Sequence, residues 1–305
     1  MSACRLGKFG ARKLLYKPYW GLTFTAEEAG CVINMTSDND GTTPIPELSL
    51  EYSLDCSTWT DFDTSSSHAT PVTLANIGDM VFFRAKNPNT TFCTDDSAWN
   101  WFTTSKTCKV GGNVMSLLDG QNRNLKTLSA PYALAYLFYD CKITDASLLE
   151  LPASSLTEYC YFSMFFGCSS LTSAPELPAM NLANCCYYQM FYGCTSLTSA
   201  PELPAMNLAA SCYYSMFYGC VSLSQEINLI APVLVDNCYS QMFLGCRALS
   251  KLRVEFSSWR NGSTTNWLNG VASTGEFLCP SALGTDVTIT RGTGNCPTGW
   301  TVVNI

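Results

Sequence analysis

A five-residue block recurs through the middle of the chain at a fixed step. Met164-Phe165-Phe166-Gly167-Cys168 returns as Met190-Phe191-Tyr192-Gly193-Cys194, as Met216-Phe217-Tyr218-Gly219-Cys220 and as Met242-Phe243-Leu244-Gly245-Cys246, a step of 26 residues each time. A degenerate copy, Leu137-Phe138-Tyr139-Asp140-Cys141, begins 27 residues before the first. A fixed period of this size marks stacked repeats, each burying its apolar side only against its neighbours. It constrains the fold more than composition does.

One unit can be taken apart over residues 197–220. Leu197-Thr198-Ser199-Ala200 reads as a short extended piece, and Pro201 ends it. Pro201 and Pro204 lack the N–H that a sheet ladder or a helix interior needs, so they confine this part to a strand and a bend. Ala209 to Tyr218 reads as a helix closed by Gly219 in the left-handed position that follows many helices. On a helical wheel Cys212, Tyr213, Met216, Phe217 and Cys220 share one arc, the expected buried face. Two columns of cysteine, 160/186/212/238 and 168/194/220/246, keep the period and read as core thiols.

This pattern resembles the leucine-rich repeats, and more narrowly the BspA-type bacterial family. Phe191-Tyr192-Gly193-Cys194-Thr195-Ser196-Leu197 followed by Leu203-Pro204 carries the likeness, which covers about residues 132–256. The resemblance implies one strand and one helix per repeat. It also implies adhesins and surface-exposed binding proteins of gut bacteria, with similar arrays in their phages and prophages.

The expected fold class is therefore mixed α and β. A basic arm spans residues 1–20, with Arg5, Lys8, Arg12, Lys13 and Lys17 facing no acidic residue. Short alternating segments over 21–105 predict an antiparallel, Ig-like β-sandwich. Among them, Leu48 to Leu54 and Trp59 to Phe62 read as a hairpin about Asp55-Cys56-Ser57. Residues 106–131 are expected to cap the solenoid, which runs over 132–256. The period is expected to stop at Phe256, and 257–305 to form a C-terminal cap with a closing strand pair at Val287–Thr290 and Trp300–Val303.

Charge and motif exclude several function classes. Charged residues are 13% of the chain and the net charge is −7, which does not suit nucleic acid. No apolar run is long enough to insert in a membrane, and the basic start lacks the apolar stretch of a secretory signal. The chain carries one histidine, His68, in a polar stretch, and 17 cysteines with no Cys-x-x-Cys pair. Neither a zinc site nor a nucleophilic dyad is indicated. Cys93 with Cys108, and Cys279 with Cys296, are the pairs that could bridge. Glu176 and Glu202 are in phase and read as a repeated solvated position, with a cation site or a glycosidase pair as the alternative. No catalytic residue, metal or cofactor is expected, and the protein is not expected to be an enzyme.

The positions that suggest function point out of the predicted helix: Phe162, Tyr188 and Tyr214 in one row, Phe166, Tyr192 and Tyr218 in another. Exposed apolar rows mark interaction surfaces, and tyrosine adds a hydroxyl to a flat ring. The expectation is a non-catalytic recognition or structural protein that contacts a host-surface glycan or protein through the solenoid. The resemblance, with no secretory signal expected, places it on a phage virion as a fibre or decoration protein, with residues 1–105 held by other virion subunits and homo-oligomers possible. A bacterial cell-surface adhesin is the alternative.

Overall fold

A computed structural model describes residues 21–64, 71–122, 124–284 and 296–305. The basic arm, His68 and the segment Val287–Thr290 lie outside the described residues. The first ten strands are β1 (Leu22–Ala26), β2 (Cys31–Asn39), β3 (Leu50–Ser53), β4 (Thr60–Phe62), β5 (Val72–Leu74), β6 (Met80–Ala85), β7 (Cys93–Asp95), β8 (Ala98–Thr104), β9 (Cys108–Asn113) and β10 (Ile143–Glu150). They form two sheets, ordered β10-β9-β1-β6-β3-β4 and β5-β2-β8-β7. Alternation sets the faces: every second residue of β8, from Ala98 to Thr104, is buried. The sheets meet through rings, with Phe24 of β1 and Phe83 of β6 each about 5 Å from Phe102 of β8.

Both sheets continue into the repeats. β10 belongs to the first repeat, yet it pairs in parallel with β9. The Phe102 N–H of β8 donates to the Leu137 carbonyl at 2.9 Å, and the Phe92 N–H to the Ala133 carbonyl at 2.9 Å. The first sheet therefore crosses the boundaries expected at 105/106 and 131/132.

The helix expected in each repeat is absent, and with it the mixed α and β class. Among the described residues the helical elements are a four-residue α-helix, Ser281–Gly284, and a 3-10 turn, Val114–Leu117. The predicted helical stretches are instead ten-residue ribbons of linked turns, at 131–140, 158–167, 184–193, 210–219, 236–245 and 261–270. Every fourth residue in them is left-handed: Tyr159, Ser163 and Gly167 in one ribbon, Cys185, Gln189 and Gly193 in the next, Ser211, Ser215 and Gly219 in the one after. A right-handed helix admits no such residue.

The N–H groups then alternate in direction. Those of Cys160, Phe162, Met164, Phe166 and Cys168 donate three residues back within the ribbon. Those of Tyr159, Tyr161, Ser163, Phe165 and Gly167 donate to the next repeat, at the carbonyls of Asn184, Cys186, Tyr188, Met190 and Tyr192. Each ribbon is thus bonded to the next as strands are in a sheet, and one repeat becomes one coil of a stack.

The inner faces of the coils form ladders. Phe138, Phe165, Phe191, Phe217 and Phe243 follow one another at 5.1–5.9 Å. Tyr161, Tyr187, Tyr213 and Tyr239 do so at 5.7–6.0 Å. The thiols of Cys168, Cys194, Cys220 and Cys246 donate to the carbonyls of Phe138, Phe165, Phe191 and Phe217 in the preceding coil, at 3.0–3.2 Å. Cys141 makes the matching bond to Phe102 of β8 at 2.7 Å. Burial pushes all five thiols up in pKa. Cys93, Cys108 and Cys279 are unbridged.

Proline decides where the far side of the coil becomes a sheet. Pro175-Glu176-Leu177-Pro178 and Pro201-Glu202-Leu203-Pro204 are extended but carry no strand, because proline cannot donate to a ladder. At the equivalent position of the next coil stands Ile227-Asn228-Leu229, and there β11 (Ile227–Leu229) begins. It pairs in parallel with β12 (Lys251–Val254), which pairs with β13 (Gly275–Cys279), which pairs with β14 (Trp300–Asn304).

The period also runs on past Phe256, where the motif ceases to be recognisable. Trp267-Leu268-Asn269-Gly270-Val271 is a further copy of Met-Phe-x-Gly-Cys. Phe243 and Gly245 donate to its Trp267 and Asn269 carbonyls at 2.9 and 2.8 Å. A cap that closes the array at 257 is therefore replaced by another coil.

The glycine column is needed for conformation rather than space. Gly219 has φ +72°, and a Cβ there would meet only the backbone of Gly193, at 3.9 Å or more. Gly219→Ala is expected to cost about 1–2 kcal/mol, the usual left-handed penalty. Gly219→Asn should cost less, since asparagine and aspartate tolerate this region and Asp140 fills the slot in the first coil at φ 53°. Chemical denaturation of the three proteins checks the order; equal midpoints would contradict it.

Candidate functional site

The spacing of four in each ribbon puts residues out as well as in. In the ribbon 158–167, Cys160, Tyr161, Met164 and Phe165 are buried, while Phe162 and Phe166 are half-buried at the surface. The same holds for Tyr188 and Tyr192, and for Tyr214 and Tyr218. All six residues singled out from the sequence therefore lie on one face, in two parallel lanes.

The lanes are longer than the motif reveals. The first runs Trp99, Tyr136, Phe162, Tyr188, Tyr214, with ring centroids 4.9, 5.1, 5.3 and 4.6 Å apart. The second runs Trp101, Tyr139, Phe166, Tyr192, Tyr218, at 6.2, 5.1, 4.6 and 4.4 Å. Each starts on β8 and crosses without a break onto the coils. Tyr132 and Tyr159, stacked at 4.6 Å, stand beside the first lane. The additional residues were within reach of sequence reasoning. Tyr136 and Tyr139 flank the degenerate copy at 137–141, and Trp99 and Trp101 alternate with Asn100 and Phe102 on a strand. Ser240 and Leu244 end the lanes in the fifth coil, where the aromatic slots are no longer filled by rings.

Ring orientation determines what this surface offers. From Tyr139 onward the second lane is nearly parallel, with interplanar angles of 11°, 3° and 10°. Tyr188 and Tyr214 are inclined by 9°. Faces are covered by neighbouring rings, and rims and hydroxyls are what remain for a partner. Such a lane presents the positive edge of the ring quadrupole together with phenolic donors and acceptors. The hydroxyls of Tyr188 and Tyr214 are in hydrogen-bond contact, as are those of Tyr192 and Tyr218. Gln241 Nε2 donates to Tyr214 Oη at 2.8 Å.

Other sequence candidates do not converge. Glu176 and Glu202 are exposed on the opposite, strand-bearing part of the coil. Among the described residues no three His, Cys, Asp or Glu side chains are grouped to hold a metal ion, and no helix is long and apolar enough to cross a membrane.

The lanes are expected to leave a pH signature. The Tyr188 phenol is pushed up to about 12, by burial first and then by Tyr214 beside it. The Tyr159 phenol is pushed up to about 12, first by its hydrogen bond with Cys185 and then by burial. A phenol raised in the folded state holds its proton more tightly than in the unfolded chain. Its contribution to stability is complete below the ordinary value of about 10 and is lost as pH rises from there toward 12. Melting midpoints should fall across that window, while phenolate absorbance appears late. Full ionisation of all 15 tyrosines at their ordinary pH, with the fold intact, would contradict this.

No protein-family model, curated protein or solved structure matches the chain, so its chemistry is argued from the geometry above.

Proposed function

We propose that this is a non-catalytic recognition protein whose coil stack holds a partner along the two aromatic lanes. One observation carries the reading: ten half-buried rings in two registered rows run unbroken from Trp99 and Trp101 to Tyr214 and Tyr218. A large apolar strip kept at the surface favours contact with another molecule. Its direction suits an extended partner laid along the coil axis. The covered ring faces weigh against stacking of sugar rings. Rims and hydroxyls suit a protein segment that brings apolar side chains and backbone carbonyls.

The narrower form of the proposal is a phage fibre or decoration protein. Its support is the repeat motif shared with bacterial and phage surface proteins over residues 132–256. In that setting the N-terminal sheets face the particle and the lanes face the host.

The test uses labelled protein on whole gut-bacterial cells, some stripped of capsule and some treated with protease. Binding should survive loss of capsule and disappear with protease. The double variant Tyr192→Ser, Tyr218→Ser should weaken it by tenfold or more, as hot-spot tyrosines do. Tyr192→Phe with Tyr218→Phe keeps the stack and isolates the hydroxyls. Undiminished binding by the serine variant, with its fold verified, would overturn the proposal.

A further inference from the structure

A second feature lies in the N-terminal sheets, away from the lanes. A cleft of about 550 Å³ opens between the segment 45–50, the end of β4 and the residues that follow β6. That is within the usual range for small-ligand sites. Phe62 and Leu50 give it an apolar floor, and Asn100 of β8 lies beneath. Asn100 is 1% exposed and its Nδ2 donates to the carbonyls of Pro46 and Phe92 at 3.0 and 3.3 Å, so the wall is fixed from within. Asn87 Nδ2 donates to Ser49 Oγ at 2.9 Å, and the Lys86 N–H to the Ser49 carbonyl at 2.9 Å.

The charges at the rim narrow the ligand. Lys86 Nζ donates to both carboxylate oxygens of Asp61, at 2.7 and 2.8 Å. Asp63 and Glu47 add two further carboxylates to the lining. Three acids against one ammonium oppose a phosphate or carboxylate ligand, and the ammonium inside the cleft opposes a cation. A neutral ligand with many hydroxyls meets neither penalty. Its O–H groups can donate to Asp61 and Asp63 and accept from Lys86 and Asn87, while its C–H face rests on the apolar floor. These are the charge-assisted hydrogen bonds that give small polar ligands their orientation.

We propose that this cleft is a saccharide-binding site that takes a neutral pyranose. It is separate from the aromatic lanes and does not depend on their role.

Saturation-transfer NMR on the full chain tests it, with the methyl glycosides of glucose, mannose, galactose and N-acetylglucosamine as probes. At least one should receive saturation. Asn87→Ala and Lys86→Ala should each weaken its binding about tenfold, the loss expected for one charge-assisted or well-placed hydrogen bond. Both residues are exposed, so these variants should fold. Tyr192→Ser with Tyr218→Ser should leave saccharide binding unchanged. No saturation of any of the four, or binding that both cleft variants retain in full, would overturn the proposal.

Discussion

A left-handed residue at every fourth position of the ribbons is the constraint on which the coils depend. It turns the chain so that alternate N–H groups leave the ribbon and reach the next coil. Tyr161, Ser163, Phe165 and Gly167 thus bond to residues in the coil that follows, and each coil satisfies its neighbour's backbone. Glycine takes the last such slot from Gly167 to Gly270, with Asp140 in the first coil. Polar or aromatic residues take the others, each at a cost of order 1 kcal/mol that the stack offsets. Rows of phenylalanine, tyrosine and cysteine follow from the same geometry, because equivalent residues must lie one above another.

A stack of this kind needs a first layer to build on, since each coil is stable only against a neighbour. The N-terminal sheets supply it. β9 offers its edge to β10, and the N–H groups of Phe92 and Phe102 meet the first ribbon. The Cys141 thiol bonds to the Phe102 carbonyl just as later thiols bond to the preceding coil. The N-terminal part is thus built as the coil before the first. This explains why the aromatic lanes begin on Trp99 and Trp101 rather than at the start of the repeats.

Much of this was legible in the residues. The 26-residue step, the inward set Cys212, Tyr213, Met216, Phe217 and Cys220, and the outward pair Tyr214 and Tyr218 could all be read directly. So could the hairpin of β3 and β4. The helix was misread for a physical reason: over ten residues, a repeat of four and a repeat of 3.6 put the same positions inside. A terminal glycine likewise serves a helix end and a left-handed turn slot equally well. Composition held the correction, since cysteine, tyrosine, phenylalanine and serine dominate these segments and are weak helix formers. The last coil was hidden because Trp267, Leu268 and Val271 replace methionine, phenylalanine and cysteine, leaving Gly270 alone in phase. Parallel pairing of β10 with β9 has no local signature at all.

The account stands on the ribbons being turns and not helices, and far-UV circular dichroism of the purified chain examines that directly. A stack of bonded turns and sheets predicts a spectrum without the paired negative bands of α-helix. A strong helical spectrum, of the size that six ten-residue helices would give, would contradict it.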